Sequence, residues 1–365
     1  MTPPPTAPRL LALDAYRGLI MLTLLAGGIF HSLKGVPGWD WLYRQNEHVA
    51  WEGCVYWDLI QPAFMFMVGA AMPFAFARRA ELGDSWSRQL LHVILRAANL
   101  ILIGWLLDNF GAEKLQFGFI RVLQQIALGY VLAFFVLGRS FRVQALLTAG
   151  LLIAYQLAWM FNPWNGADGP WAMGTENLGA AFDRWWIGRN YSGYYVGLNF
   201  LPATATIVFG VMAGELIRQT ALPGSARTPR QTCLWLLGAG LGGVALGAAV
   251  SPWFPLIKRI WTPSFAVYAG GWTTLMLLAF YWIIEVRGVR RLFFPLVVVG
   301  INSLAAYILG NAFGGWFRSL SQAWIGGLKQ PLGDVGFPIL QRALFTLAAW
   351  GVLYWLYRRK IFFKA

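Results

Sequence analysis

Apolar runs of about 20 residues recur along the whole chain, each long enough to cross a hydrocarbon core of about 30 Å as a helix. Ten are present, near 10–32, 57–77, 89–107, 119–137, 143–161, 197–217, 232–251, 264–284, 293–314 and 337–357. In lipid every backbone N–H and C=O must be satisfied within the segment, so runs of this length fold as helices. The sequence therefore predicts an all-α polytopic membrane protein of about ten transmembrane helices. Composition agrees: of 365 residues, 58% are hydrophobic and 12% charged, with a mean hydropathy of +0.54. A soluble chain carries about 25% charged residues, so a cytosolic enzyme and a disordered chain are both excluded. Twenty Trp and 26 Phe suit lipid-facing and interfacial zones. The first run has no small-residue cleavage site and is entered by Asp14 and Arg17, so it reads as a retained helix.

Charge reports orientation. Lys and Arg number 29 against 15 Asp and Glu, a net +14. Alternate loops hold Arg78, Arg79 and Arg88; Arg139 and Arg142; Arg218, Arg227 and Arg230; Arg287, Arg290 and Arg291; and Arg358, Arg359, Lys360 and Lys364. The opposite loops carry most of the acids, among them Asp40, Glu47, Glu52, Asp108, Asp168, Asp183 and Asp334. The positive-inside rule places the first set, and both termini, in the cytoplasm. The basic surplus is then a topology signal, and no nucleic-acid partner is expected. Cys54 and Cys233 are far apart without metal-type spacing, so neither a disulfide framework nor a metal site is indicated. No soluble domain boundary is visible: residues 1–365 read as a single transmembrane domain whose outer segments, about 33–56, 163–196 and 315–336, cap the bundle. Gly238, Gly240, Gly242, Gly243 and Gly247 lie inside one run, where small residues let helices approach closely and permit a homodimer.

Charge inside a span is costly, so the polar minority needs explaining. Asp14 and Arg17 share a helical face as an ion pair, or Arg17 holds an anionic ligand. The densest constellation is Glu47-His48-Val49-Ala50-Trp51-Glu52-Gly53, followed by Trp57-Asp58-Leu59. His48 is a structural histidine or, fixed by Asp58, a base working near neutral pH. Asn302 cross-links helices or donates to a developing oxyanion. Arg96, Arg121, Asp183 and the Lys258-Arg259-Ile260-Trp261-Thr262-Pro263-Ser264 segment also lie in or beside spans.

The ordered set Leu13-Asp14-Ala15-Tyr16-Arg17-Gly18, His48 to Asp58, Val68-Gly69, Val122 to Tyr130, Lys258 to Phe265 and Gly300 to Tyr307 resembles the heparan-alpha-glucosaminide N-acetyltransferase family and its bacterial relatives. The resemblance implies transmembrane acetylation, with cytoplasmic acetyl-CoA as co-substrate and the amine of a glucosamine-type sugar on the periplasmic side as acceptor. The family's essential histidine, in His-x-x-Trp-x-Gly followed by Asp-Leu, falls on His48, with Trp51, Gly53, Asp58 and Leu59. His48, Asp58 and Asn302 are the expected catalytic residues. Arg17, Arg78, Arg79 and Arg96, chosen by depth and charge, are the expected cations for the CoA phosphates. Trp51, Glu52, Asp183, Lys258 and Trp261 are expected at the acceptor. The family often has Asn where Glu52 stands, an added carboxylate suited to an amino sugar. The expected location is the cytoplasmic membrane of a bacterium, in contact with its lipid. An amino-sugar or oligosaccharide transporter, and an O-acyltransferase of envelope glycans, are the alternatives.

Overall fold

A computed structural model describes residues 10–363, so Lys364 lies outside the described residues. Thirteen α-helices occur within them: α1 (Leu11–Leu25), α2 (Asp40–Gln45), α3 (Tyr56–Glu81), α4 (Trp86–Asp108), α5 (Val122–Val136), α6 (Phe141–Met160), α7 (Leu178–Ile187), α8 (Phe200–Ala221), α9 (Pro229–Val250), α10 (Pro263–Phe280), α11 (Phe294–Ile301), α12 (Ser303–Ile325) and α13 (Lys329–Arg358). Seven helical segments among the described residues are long and apolar enough to cross a membrane; α5 and residues 291–301 are apolar but shorter. The chain is an all-α polytopic membrane protein.

Three boundaries differ from those read off hydropathy. The first run stops being α-helical at Leu25, and Gly28 follows at φ +80°, a left-handed position that suits glycine and ends the helix there. The ninth run is broken at Asn302 (φ −112°, ψ 40°), which divides α11 from α12. Hydropathy is continuous across that break because its cause is a side-chain bond to a distant segment. Residues 315–336, expected as an outer loop, are mostly helical: α12 runs to Ile325 and α13 starts at Lys329, with one 3₁₀ turn between them.

The described chain divides into two compact units. In the unit of residues 51–54 and 61–279, α3 crosses α8 at glycines on both sides. A Cβ on Gly69 would collide with the Ile207 carbonyl, and one on Gly210 with the Phe66 carbonyl. This backbone-to-backbone approach is how apolar helices associate where lipid removes the hydrophobic drive. The glycine-rich α9 behaves likewise: Gly240, Gly243 and Gly247 face Leu275, Gly271 and Tyr268 of α10, while Gly238 and Gly242 meet nothing within 4 Å. The segment 163–196 closes over a core of Tyr155, Trp159, Val196, Leu198, Ile257 and Ile260, with Trp51 and Trp171 packed against it.

In the unit of residues 10–50, 55–60 and 280–363, α1 meets α11 in the same manner, Gly18 against the Leu296 carbonyl and Gly300 against that of Asp14. Tyr16 stacks on Phe280 at 5.4 Å. Glu285 accepts the Ala12 N–H at 3.0 Å, satisfying one of the donors a helix start leaves open.

Candidate functional site

The start of α3 fixes a carboxylate. Asp58 is the third helical residue, and its Oδ2 accepts the Val55 N–H at 3.3 Å, the reach-back half of a capping box. A negative charge in the first turn is also favoured by the helix dipole. Thus held, and only 1% exposed, Asp58 presents Oδ1 at 2.6 Å from His48 Nδ1. Opposite an ionised carboxylate, which only accepts, a neutral ring carries its proton on Nδ1 and its lone pair on Nε2. The imidazole is 32% exposed, with the Trp57 ring 6.3 Å away. Two further contacts anchor it. The Tyr56 N–H donates to Gln45 Oε1 at 3.0 Å, tying the end of α2 to the start of α3. Glu47 Oε1 accepts the His48 N–H at 3.2 Å, and Glu47 Oε2 lies 3.2 Å from His31 Nε2. Two His–carboxylate pairs therefore stand side by side.

A cavity of about 630 Å³ opens beside them, lined by Glu47, Trp57, His31, Gln341, Arg318 and Arg342 among others. His31, Glu47 and the two arginines were not expected at a site. Arg342 had a legible signal, being a cation inside an apolar run, the feature that singled out Arg96.

Asn302 is a correction. Its amide donates to Ile361 O at 3.0 Å and its oxygen accepts the Phe363 N–H at 3.1 Å. The C-terminal segment thus engages both ends of the side chain, which tethers that segment and gives the oxyanion role no geometric support. Arg17 lies 3.6 Å from Asp14 and is 21% exposed.

In the other unit, residues 51–53 run against 256–257. Gly53 N–H donates to Leu256 O at 2.8 Å, and Glu52 bridges Ile257. This pairing brings Trp51 and Glu52 onto the strip that leads to Lys258 and Trp261. Trp51 Nε1 donates to Trp171 O at 2.7 Å and its ring meets Tyr194 edge-on. Glu52 is exposed, whereas Lys258 (5%) and Trp261 (1%) are buried. Trp261 has a φ of +48°, uncommon for a side chain of its size. Asp183 is a second correction: it is fully buried, and both carboxylate oxygens accept the Gly197 N–H at 3.0 Å. Burial pushes its carboxyl up to about 7, against the opposing effect of that N–H. It bolts α7 to the segment before α8 and offers no surface to an acceptor.

The cations expected at the cofactor divide. Arg79 pairs with Asp84 at 3.0 Å, and Arg78 is exposed in the last turn of α3. Arg96 lies over the Tyr130 ring at 5.0 Å, its Nε buried without a hydrogen-bond partner.

No family model matches the chain. Among curated proteins it is 23% identical over 420 residues to the human heparan-alpha-glucosaminide N-acetyltransferase, covering 98% of this chain and 60% of that protein. The mouse protein of the same name matches at 23% over 424 residues, 98% and 61%. The chain spans about three fifths of the length of these relatives. Similarity along almost its full length, at one identical residue in four to five, relates the chain at the family level to the heparan-alpha-glucosaminide N-acetyltransferases.

Proposed function

We propose that the protein is an acetyl-CoA-dependent N-acetyltransferase of the membrane, acting on the amine of a glucosamine-type sugar. The observation that carries this reading is the 2.6 Å bond between His48 and the buried Asp58 in a chain related to N-acetyltransferases. In the reaction the acceptor amine, once neutral, attacks the thioester carbonyl carbon. An N–C bond forms, the C–S bond breaks, the nitrogen's proton passes to His48 Nε2, and the imidazolium hands that proton to the departing thiolate. Asp58 orients the ring and stabilises the imidazolium, the role of the third group in a triad. General-base help of this kind is worth about 10²–10⁴ in rate.

Acetyl-CoA enters here as a substrate. Arg78, exposed, and Arg96, with its buried unbonded Nε, have donors to offer its phosphates. Arg79 and Arg17 already have carboxylate neighbours. Trp51 and Glu52 remain the acceptor candidates of the other unit. The loop charges support an orientation with cofactor supplied from the cytoplasm and acceptor from the other side; the proposal takes the whole chain as one transmembrane domain in a bacterial cytoplasmic membrane. Purified protein in proteoliposomes, given labelled acetyl-CoA and glucosamine, is expected to form N-acetylglucosamine. His48→Ala is expected to abolish the product while leaving a monodisperse, folded protein. Full activity in that variant overturns the assignment.

A further inference from the structure

Arg342 is the molecule's least explained charge. It lies 16 residues before Arg358, so about 24 Å along α13 from the basic end of that helix. In that position a cation needs a counter-charge, yet among the described residues neither Arg342 nor Arg318 pairs with a carboxylate. Arg342 instead stacks over Phe345 at 5.6 Å and borders Gly28 and Gly314. Arg318 is near enough for the two guanidiniums to repel each other. Both line the cavity, and both forks carry donors suited to an oxyanion.

The same lining also holds a carboxylate. Glu47 lies there, bonded to the His48 N–H, and Trp57 neighbours Asp58 in the chain. The cavity therefore holds both signs beside the His48–Asp58 pair: the Glu47 carboxylate, with His31 at 3.2 Å, and two guanidiniums that no carboxylate meets among the described residues. An unsubstituted neutral sugar would leave the arginines uncompensated. An amine that also bears an acidic group matches both charges, its ammonium toward Glu47 and its oxyanion toward Arg342.

We infer that Arg342 and Arg318 form an oxyanion subsite selecting amine acceptors that carry a phosphate, sulfate or carboxylate group. That the anion belongs to the acceptor rests on the proposed role of His48; the anion site itself does not.

The test is direct binding by the full chain in nanodiscs without acetyl-CoA, read by intrinsic tryptophan fluorescence or calorimetry. Glucosamine 6-phosphate, glucosamine and inorganic phosphate serve as probes. Glucosamine 6-phosphate is expected to bind about tenfold or more tightly than either fragment, and Arg342→Gln to remove that advantage while leaving glucosamine within about twofold. Arg342→Lys is expected to recover part of it. Arg318→Gln, at an exposed position, gives a smaller loss in the same direction and serves if Arg342→Gln does not fold. Equal affinities for the sugar and its phosphate, or equal losses for both in the variants, overturn the subsite. Inorganic phosphate binding as tightly as the sugar phosphate overturns its assignment to the acceptor. Selective binding without any acetyl transfer leaves the subsite standing and removes the acetyltransferase reading.

Discussion

Replacing Asp58 by Asn separates a catalytic pair from a structural one, because the amide keeps the shape and reverses the hydrogen-bond polarity. An Asn side chain can still accept the Val55 N–H through its oxygen, so the start of α3 survives. Its NH₂ then faces His48 Nδ1 across the 2.6 Å contact and, being a donor, pushes the ring proton to Nε2. The base is in the wrong tautomer. The imidazolium that forms during proton transfer also loses a buried counter-charge: at about 4 Å and an effective dielectric of about 20, that attraction is about 4 kcal/mol. This corresponds to about 10³ in rate. Acetyl transfer from labelled acetyl-CoA to glucosamine, measured in proteoliposomes, should fall by about 10³ in kcat with KM little changed. The double variant with His48→Ala should be no slower than the slower single one, as for residues acting as a unit. A variant that keeps more than a third of wild-type kcat, or losses that multiply in the double, would refute the reasoning.

Asn302→Ala should release the C-terminal segment. Losing two hydrogen bonds costs about 1–2 kcal/mol, read as a lower Tm and earlier proteolysis after Arg358, with acetyl transfer retained within a few fold; a hundredfold loss of activity at unchanged Tm would restore the oxyanion role. Asp183→Asn addresses pH. The folded carboxyl titrates near 7 and the unfolded one in the ordinary acid range, so between the two the unfolded state has already lost its proton and wild-type stability falls as pH rises, levelling off above 7. The Asn variant lacks this dependence, and its Tm advantage should grow from pH 4 to 7; parallel curves would contradict the burial argument. Gly69→Leu should prevent α3 and α8 from closing and abolish folded protein in detergent, while Gly242→Ala, with open space beside it, should leave Tm unchanged or slightly raised.

The parts legible in the sequence are those whose causes are local. Apolar runs specify helices because a bilayer accepts little else, and Asp58 lies ten residues from His48 at a helix start, close enough for spacing to suggest contact. The glycine-dense run marks α9 as a helix fit for close packing, but which of its glycines meet α10, namely Gly240, Gly243 and Gly247, is known only from the structure. What was not legible depends on partners far along the chain. The break at Asn302 is held by residues about 60 positions later. The burial of Asp183 depends on a backbone N–H fourteen residues away and on the aromatic cover above it. The helical path of 315–336 was hidden by Gly and Trp, residues that mark loops in water and helix contacts or interfaces in lipid.

Hydrogen-bond saturation divides the polar minority more sharply than depth does. Asp183 and Asn302 are buried and bond the backbone of distant segments, the pattern of a side chain that holds the fold. Arg342, Arg318 and the Nε of Arg96 are held near aromatic rings or line a cavity with donors unused. For the buried Nε of Arg96 and the half-buried Arg342, keeping donors away from water is unfavourable unless something occupies them; Arg318 is exposed. In the reading proposed above, anionic ligands fill that role, a phosphate-bearing thioester donor at Arg96 and an acidic amine acceptor at Arg342 and Arg318. In the proposed reaction those cations serve the His48–Asp58 pair, which is itself bonded and leaves the imidazole 32% exposed.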